Sequence, residues 1–252
     1  MRTFKTFDYI FITGVTGTGK STLLQEILDT YSDVELLQKY TTRDIREDEK
    51  TIPKKRMEYN FITEENATFL ENILELSLVN TYHTANGDYL YAFPKYNNPK
   101  EDATYIQVLG ADDIIAIMDK GEFPENALLI NITADKKSVL QKLSKRMDDE
   151  ESERRYQSDC NNFGITSVGG ECVNFWNRIS RNFTSDRNSN YIEVSNVMYF
   201  MTPKEILKSI MQMFVIDYRN KNYLKVVKHF GTGLPILQTN ALESQSHTGV
   251  IR

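Results

Sequence analysis

Gly14-Val15-Thr16-Gly17-Thr18-Gly19-Lys20-Ser21 follows the apolar run Tyr9–Thr13 without a break and opens a stretch, residues 21–30, with helical spacing. It fits G-x-x-x-x-G-K-[ST] at every fixed position. A buried strand before and a helix after are the context in which that pattern has a physical meaning. Glycines at 14, 17 and 19 let the backbone curl until successive N–H groups point inward, and the helix N-terminus adds its partial positive charge. The concavity predicts a nucleoside triphosphate site, with Thr16, Thr18 and Thr22 around the phosphates beside the glycines. Lys20 is expected on the β and γ phosphates, and the Ser21 hydroxyl on the Mg2+ that accompanies ATP.

A chain of 252 residues allows one substantial α/β domain with extra elements, or two small ones. The net charge of −5 argues against a dedicated nucleic-acid surface without removing the option. No apolar run approaches the ~20 residues of a membrane span, and the first strand starts too early for a signal peptide. Cys160 and Cys172 lack histidines at metal spacing. Both read as free thiols of a cytoplasmic protein. The abundance of Lys, Asn, Ile and Tyr suits an AT-rich genome, as in many bacteria and their phages.

Strand and helix patterns alternate, which predicts a parallel sheet covered on both faces. Strands are expected at 8–13, 34–39, 58–62, 103–109, 126–133 and 191–194, and helices at 21–30, 64–73 and 112–120. Residues 74–82 and 89–93 alternate around Asn86-Gly87, a two-residue hairpin signal. A helix from Lys136 is expected to run into the charge-dense stretch Lys145–Arg155. Thr202, with Pro203 next and Glu205 three residues on, predicts a capped helix reaching about Tyr218. The expected organisation is a core of residues 1–33 and 96–220, a small antiparallel insertion at 34–95, and a loosely ordered extension at 221–252.

Thr41-Thr42-Arg43-Asp44-Ile45-Arg46 sets two arginines three apart, and Tyr59 follows thirteen residues later in Glu58-Tyr59-Asn60-Phe61. Two guanidiniums in a short loop make a fork suited to a dianionic phosphate, and a tyrosine hydroxyl adds a third donor. Here the chain resembles the guanylate kinase family, in which T-T-R-x-x-R and a following -Y-x-F- strand grip the phosphate of the accepting monophosphate. The resemblance spans about residues 8–215. It implies a P-loop NTPase three-layer fold with an acceptor-binding insertion and a helical lid at about 143–160. It also implies that Arg43, Arg46 and Tyr59 hold the acceptor, and that Arg146 with Arg154 or Arg155 closes over the triphosphate. Ser195-Asn196 matches the place where the family lines its adenine pocket.

The family's guanine readers are altered. Lys39 or Tyr40 stands where a serine precedes T-T-R, and Tyr89-Leu90-Tyr91-Ala92 replaces the usual Y-G-[ST] segment. Glu75 is the nearest counterpart of an expected acidic residue. The strand that normally ends D-x-D-x-Q-G reads Tyr105-Ile106-Gln107-Val108-Leu109-Gly110. A carboxylate accepts from the N1–H and N2–H2 edge of guanine, whereas the Gln107 amide both donates and accepts. Gln107 therefore either reads a different base or satisfies backbone groups in the core, and Tyr91 and Glu75 complete the expected acceptor pocket.

The expected function is ATP- and Mg2+-dependent phosphoryl transfer to a (deoxy)nucleoside monophosphate by a monomer or homodimer. Two alternatives remain open on the residues alone. One is a kinase acting on another phosphorylated small molecule or on a base within DNA, where Lys54-Lys55-Arg56 and Lys221–Lys228 would meet the backbone. The other is a non-catalytic interaction module.

Overall fold

The computed structural model describes residues 7–47, 49–66, 76–84, 87–145, 147–163, 173–180, 190–195, 202–208, 210 and 226–229. Its centre is β1 (Tyr9–Gly14), flanked by β7 (Thr104–Val108) and β8 (Ala127–Thr133). All six residues of β1 and all seven of β8 are buried. Strands covered on both faces read as unbroken apolar runs, which is why these two were visible in the sequence. Side chains still alternate. Ile10 and Ile12 face one core with Leu23, Leu24 and Ile27, while Tyr9 and Phe11 face another with Ile114 and Phe175. Truncating Phe11, 1% exposed, to alanine would cost about 3–5 kcal/mol.

The main sheet runs β10-β9-β8-β1-β7-β2, with β2 Val34–Leu36, β9 Asn190–Ser195 and β10 Val226–His229, and every pairing is parallel. This is an α/β fold of the phosphate-loop NTPase class. Helix α1 (Lys20–Thr30) covers one face together with residues 203–208, and α2 (Ala111–Asp119), α3 (Lys136–Leu143), α4 (Asp149–Phe163) and α5 (Val173–Ile179) lie on the other side. The strand β10 lies inside the stretch expected to be a loose extension, and its pairing with β9 brings 226–229 into the sheet.

The expected strand at 34–39 is two strands. The chain leaves the main sheet after Leu36 and enters a second one as β3 (Lys39–Thr41), next to β4 (Tyr59–Phe61). That sheet, ordered β4-β3-β6-β5 with β5 Leu76–Thr84 and β6 Gly87–Pro94, is mixed rather than wholly antiparallel. β3 and β4 run parallel because the connection of residues 42–58, with a turn at Lys54–Arg56, is long enough for a crossover.

The expected helix from Lys136 into the charged run is broken. α3 ends at Leu143, and Asp148 starts α4 by accepting from the Glu151 N–H at 2.8 Å. Thr202 and Glu205 form the reciprocal cap that their spacing predicts, with the Thr202 N–H donating to Glu205 at 2.7 Å and the Glu205 N–H to Thr202 at 3.3 Å. Of the residues singled out in the sequence, Glu75, Asn86, Arg146, Cys172, Asn196, Tyr218 and Lys221 lie outside the described residues, as does the expected helix 64–73 beyond residue 66. Cys160 is a free thiol, and among the described residues no helix is long and apolar enough to cross a membrane.

Candidate functional site

The loop after β1 opens at the carboxyl end of the sheet, between β7 and β8, where strand order changes direction and ligands of such folds gather. Gly14 sits at φ 140°, and a Cβ there would lie 2.1 Å from the Ile132 carbonyl oxygen, so only glycine fits. Gly19, at φ 98°, turns the chain into α1. Thr18 is buried and its hydroxyl donates to Val15 O at 2.8 Å, locking the curl. Ser21 and Thr22 stand exposed on the first turn of α1.

Lys20 folds over its own loop, donating to Gly14 O at 2.8 Å and Val15 O at 3.0 Å. Burial pushes its ammonium below the ordinary lysine value. Asp159 and Glu58 pull it back up, and Lys39 pushes it further down. The Thr16 N–H donates to the Asp159 carboxylate at 2.5 Å. An N–H of the loop thus already meets an anionic oxygen, supplied from α4.

The second sheet, with the loop that follows β3, carries Arg43 and Tyr59 of the sequence-predicted acceptor grip. Arg43 is only 6% exposed, and its guanidinium lies 4.7 Å from the Tyr59 ring centre and 5.0 Å from that of Phe61. Nη1 and Nη2 clamp the two oxygens of Glu49 at 2.8 and 2.5 Å, the forked geometry arginine uses on carboxylate and phosphate alike. The Arg46 N–H adds a bond to Glu49 at 2.9 Å, while the Arg46 side chain is exposed. Burial opposes the charge on Glu49, but the Arg43 bonds and the Arg46 N–H outweigh it and hold the carboxyl below its usual range.

Tyr59 meets Tyr91 edge to face at 5.7 Å, and Tyr91 meets Tyr82 in the same way at 5.1 Å, so an aromatic row flanks the grip. At its far end Asp113 accepts from the Tyr82 hydroxyl at 2.5 Å and from Asn80 at 3.0 Å. The same carboxylate reaches back to the Gly110 N–H at 3.2 Å, the helix-capping role its position predicts. Asn80, Tyr82 and Asp113 carried no site signal in the sequence. Only the pairing of β5 with β6, which sets Asn80 opposite Tyr91, brings them to this wall.

Gln107 is 1% exposed; its amide accepts from Tyr96 at 2.7 Å and donates to Leu37 O at 3.0 Å. Both of its functional atoms are engaged within the core. Arg154 and Arg155 both bond Glu151 on their own helix, at 2.6–2.8 Å and 2.6 Å. Those bonds, from Arg154 first, hold the Glu151 carboxyl down to about 2. In the Lys54–Arg56 patch, Arg56 pairs with Asp29 of α1.

Among the described residues no group of three or more His, Cys, Asp or Glu side chains gathers to hold a metal. Asp113 has both oxygens engaged, and Asp112 accepts from Asn162 at 2.6 Å. The exposed Ser21 hydroxyl is the donor suited to Mg2+, which fits an ion that arrives on a triphosphate and keeps much of its water.

No family model matches the chain, and no curated protein matches it. Among solved structures the chain is similar to the crystal structure of guanylate kinase from Anaplasma phagocytophilum. The likeness has 14% sequence identity and a TM-score of 0.49, over 84% of this chain and 87% of that one.

Proposed function

We propose that the protein transfers a phosphoryl group from Mg·ATP to a nucleoside or deoxynucleoside monophosphate, giving the diphosphate and ADP. The observation that carries this reading is the Arg43 clamp: a buried guanidinium, stacked on two rings and closed in bidentate geometry on a carboxylate. Beside a phosphate loop, an anion grip of that kind supports a second phosphate rather than a hydroxyl acceptor.

Phosphoryl transfer depends on positioning and charge neutralisation more than on covalent chemistry. Loop N–H groups and Lys20 hold the donor phosphates, with Lys20 leaving Gly14 O and Val15 O to do so. Ser21 would hold the Mg2+ that accompanies ATP, and the ion would supply neutralising charge to the triphosphate. Arg43, Arg46 and Tyr59 hold the acceptor phosphate in line, with Tyr91 beside them. Arg154 and Arg155 on α4, with Arg146, close over the transferring group and exclude water. The attacking oxygen is already ionised, so no general base is needed. With Tyr105 and Gln107 in place of strand-end carboxylates, and the Gln107 amide held by Tyr96 and Leu37 O, that strand offers no carboxylate to the guanine edge, and the base accepted differs from guanine.

ADP release with Mg·ATP, measured across all ribo- and deoxyribonucleoside monophosphates, ribose phosphates and a DNA duplex, tests the reading. Turnover on a monophosphate other than GMP is expected. Preference for GMP overturns the base assignment, and turnover confined to a sugar phosphate or DNA overturns the acceptor class.

A further inference from the structure

Lys39 lies on β3, between the two phosphate sites, and is 4% exposed. Its ammonium donates to the carbonyl of Val108, the last residue of β7, at 2.6 Å and to the Tyr59 hydroxyl at 3.2 Å. Its nearest carboxylate, Glu58, is 3.9 Å away, within attraction but beyond a hydrogen bond. An ammonium carries three donors, so two are used and one is left.

Capping a strand-end carbonyl requires only a neutral donor, and burying a charge for that purpose alone is expensive. The position also gathers like charges. Lys39 and Arg43 both lie against the Tyr59 ring, 4.4 and 4.7 Å from its centre. On the donor side burial is the main cause that lowers the Lys20 ammonium, and the Lys39 charge adds a smaller push in the same direction. Glu58, Glu49 and Asp159 offset Lys39, Arg43 and Lys20 in turn, and a phosphate bound among the three cations is attracted by all of them at once. Because Tyr59 accepts from Lys39, its own hydrogen stays available to donate; among the described residues that hydroxyl has no other hydrogen-bond partner.

We propose that Lys39 is a catalytic residue: its ammonium binds the acceptor phosphate on the side facing Lys20 and neutralises the charge that builds as the two phosphates meet. The inference rests on the acceptor reading above. In the step, an acceptor phosphate oxygen forms the new bond to the γ phosphorus. The bond from that phosphorus to the β–γ bridging oxygen breaks, and its electron pair stays on ADP. Lys39 keeps its proton throughout.

The test is Lys39→Gln, which keeps a donor for Val108 O without the charge, beside Lys39→Arg, which keeps the charge. Expected for Lys39→Gln is a kcat lower by about 10²–10³-fold, the scale of losing one transition-state donor, with acceptor KM raised about tenfold. Mg·ATP affinity by calorimetry should stay within about twofold, and Lys39→Arg should recover at least about tenfold of the lost kcat. A purely structural lysine would lower thermal stability without that split or that rescue. Lys39→Gln with kcat and acceptor KM unchanged overturns the proposal. If the unaltered protein turns over no phosphorylated acceptor, the acceptor reading fails by itself. Inorganic phosphate binding then decides Lys39: affinity lost in Lys39→Gln keeps it as a phosphate ligand, and unchanged affinity removes it. Should Lys39→Gln not fold, the Lys39 ε-carbon resonance of the unaltered protein is followed during phosphate titration. A shift supports the contact, and an unmoved resonance overturns it.

Discussion

At Thr16 a backbone N–H donates to a carboxylate 143 residues away, and at Arg43 a guanidinium clamps a carboxylate six residues away. Both sites accommodate phosphate-like oxygens of this chain itself, but they are made of different material. The phosphate loop is a backbone concavity whose shape comes from glycines at positive φ, and its anion comes from α4. The arginine grip is a side-chain fork held by stacking, and its anion comes from its own loop. On the proposed reading, a phosphate on the loop displaces the Asp159 carboxylate of α4, the helix that carries Arg154 and Arg155, whereas a phosphate on the grip displaces a carboxylate of the same loop.

The largest break in that comparison is Lys20→Ala. It removes the lysine charge on the donor side, and transfer should fall by at least about 10³-fold, the scale of a charge lost from a phosphoryl-transfer site. Acceptor binding by calorimetry should hardly change. Loss of acceptor affinity to the same degree would mean that the two sites are one.

Arg43→Ala should come next. Both forked bonds go, and Glu49 is left half-buried with only the Arg46 N–H. Acceptor KM should rise by about 10²-fold, with the ATP KM within about twofold. An unchanged acceptor KM would remove Arg43 from the site and leave the clamp as a fold-stabilising ion pair.

Asp159→Asn sharpens the contrast by removing the distant anion's charge. A charge-assisted hydrogen bond contributes about 1.5–3 kcal/mol, and the triphosphate must displace it. Asparagine keeps a neutral hydrogen bond of about 0.5–1.5 kcal/mol, so the cost of displacement falls by about 1 kcal/mol and Mg·ATP should bind about 3–10-fold tighter. Hydrogen exchange at the Thr16 amide should be faster in the variant without nucleotide and equal with it. Weaker Mg·ATP binding would mean that Asp159 serves the bound state.

The same difference in material decides what the sequence could reveal. The phosphate loop is contiguous and its shape is in the glycines, so the strand, curled loop and helix around residues 14–21 were legible. The buried runs of β1 and β8 were legible too, because strands covered on both faces carry no polar alternation. Arg43 and Tyr59 were linked by their motif across the connection 42–58, and the parallel pairing of β3 with β4 sets the guanidinium 4.7 Å from the ring centre. Lys39 was visible only as a substitution in a motif; its neighbours Val108 and Tyr59 are 69 and 20 residues away. Asp159 had no signal, because an aspartate on a charged helix face looks like solvated surface until the helix is docked. The break between α3 and α4 was hidden for a related reason: Asp148 extends a helical charge pattern and also caps a new helix.

Glu151 offers the smallest and most specific test. It does for Arg154 and Arg155 what Glu49 does for Arg43, holding them on a carboxylate of their own segment. Its carboxyl is held down to about 2 from the ordinary 4.5, by the Arg154 bond first and then Arg155. A depressed carboxyl contributes stability that is present above about pH 4.5 and is lost as pH falls toward about 2. These ion pairs are partly exposed and screened, so the contribution is at most about 1 kcal/mol. Glu151→Gln should flatten the stability profile between those pH values, lowering neutral-pH stability by at most about 1 kcal/mol and leaving stability near pH 2 unchanged. It should also free both arginines, giving Mg·ATP an affinity gain of no more than about threefold, since exposed pairs contribute little. Combined with Asp159→Asn the two gains should multiply, because one acts through the loop N–H and the other through the guanidiniums. Gains that fail to multiply would mean that α4 moves as a single unit, with Glu151 and Asp159 reporting the same displacement.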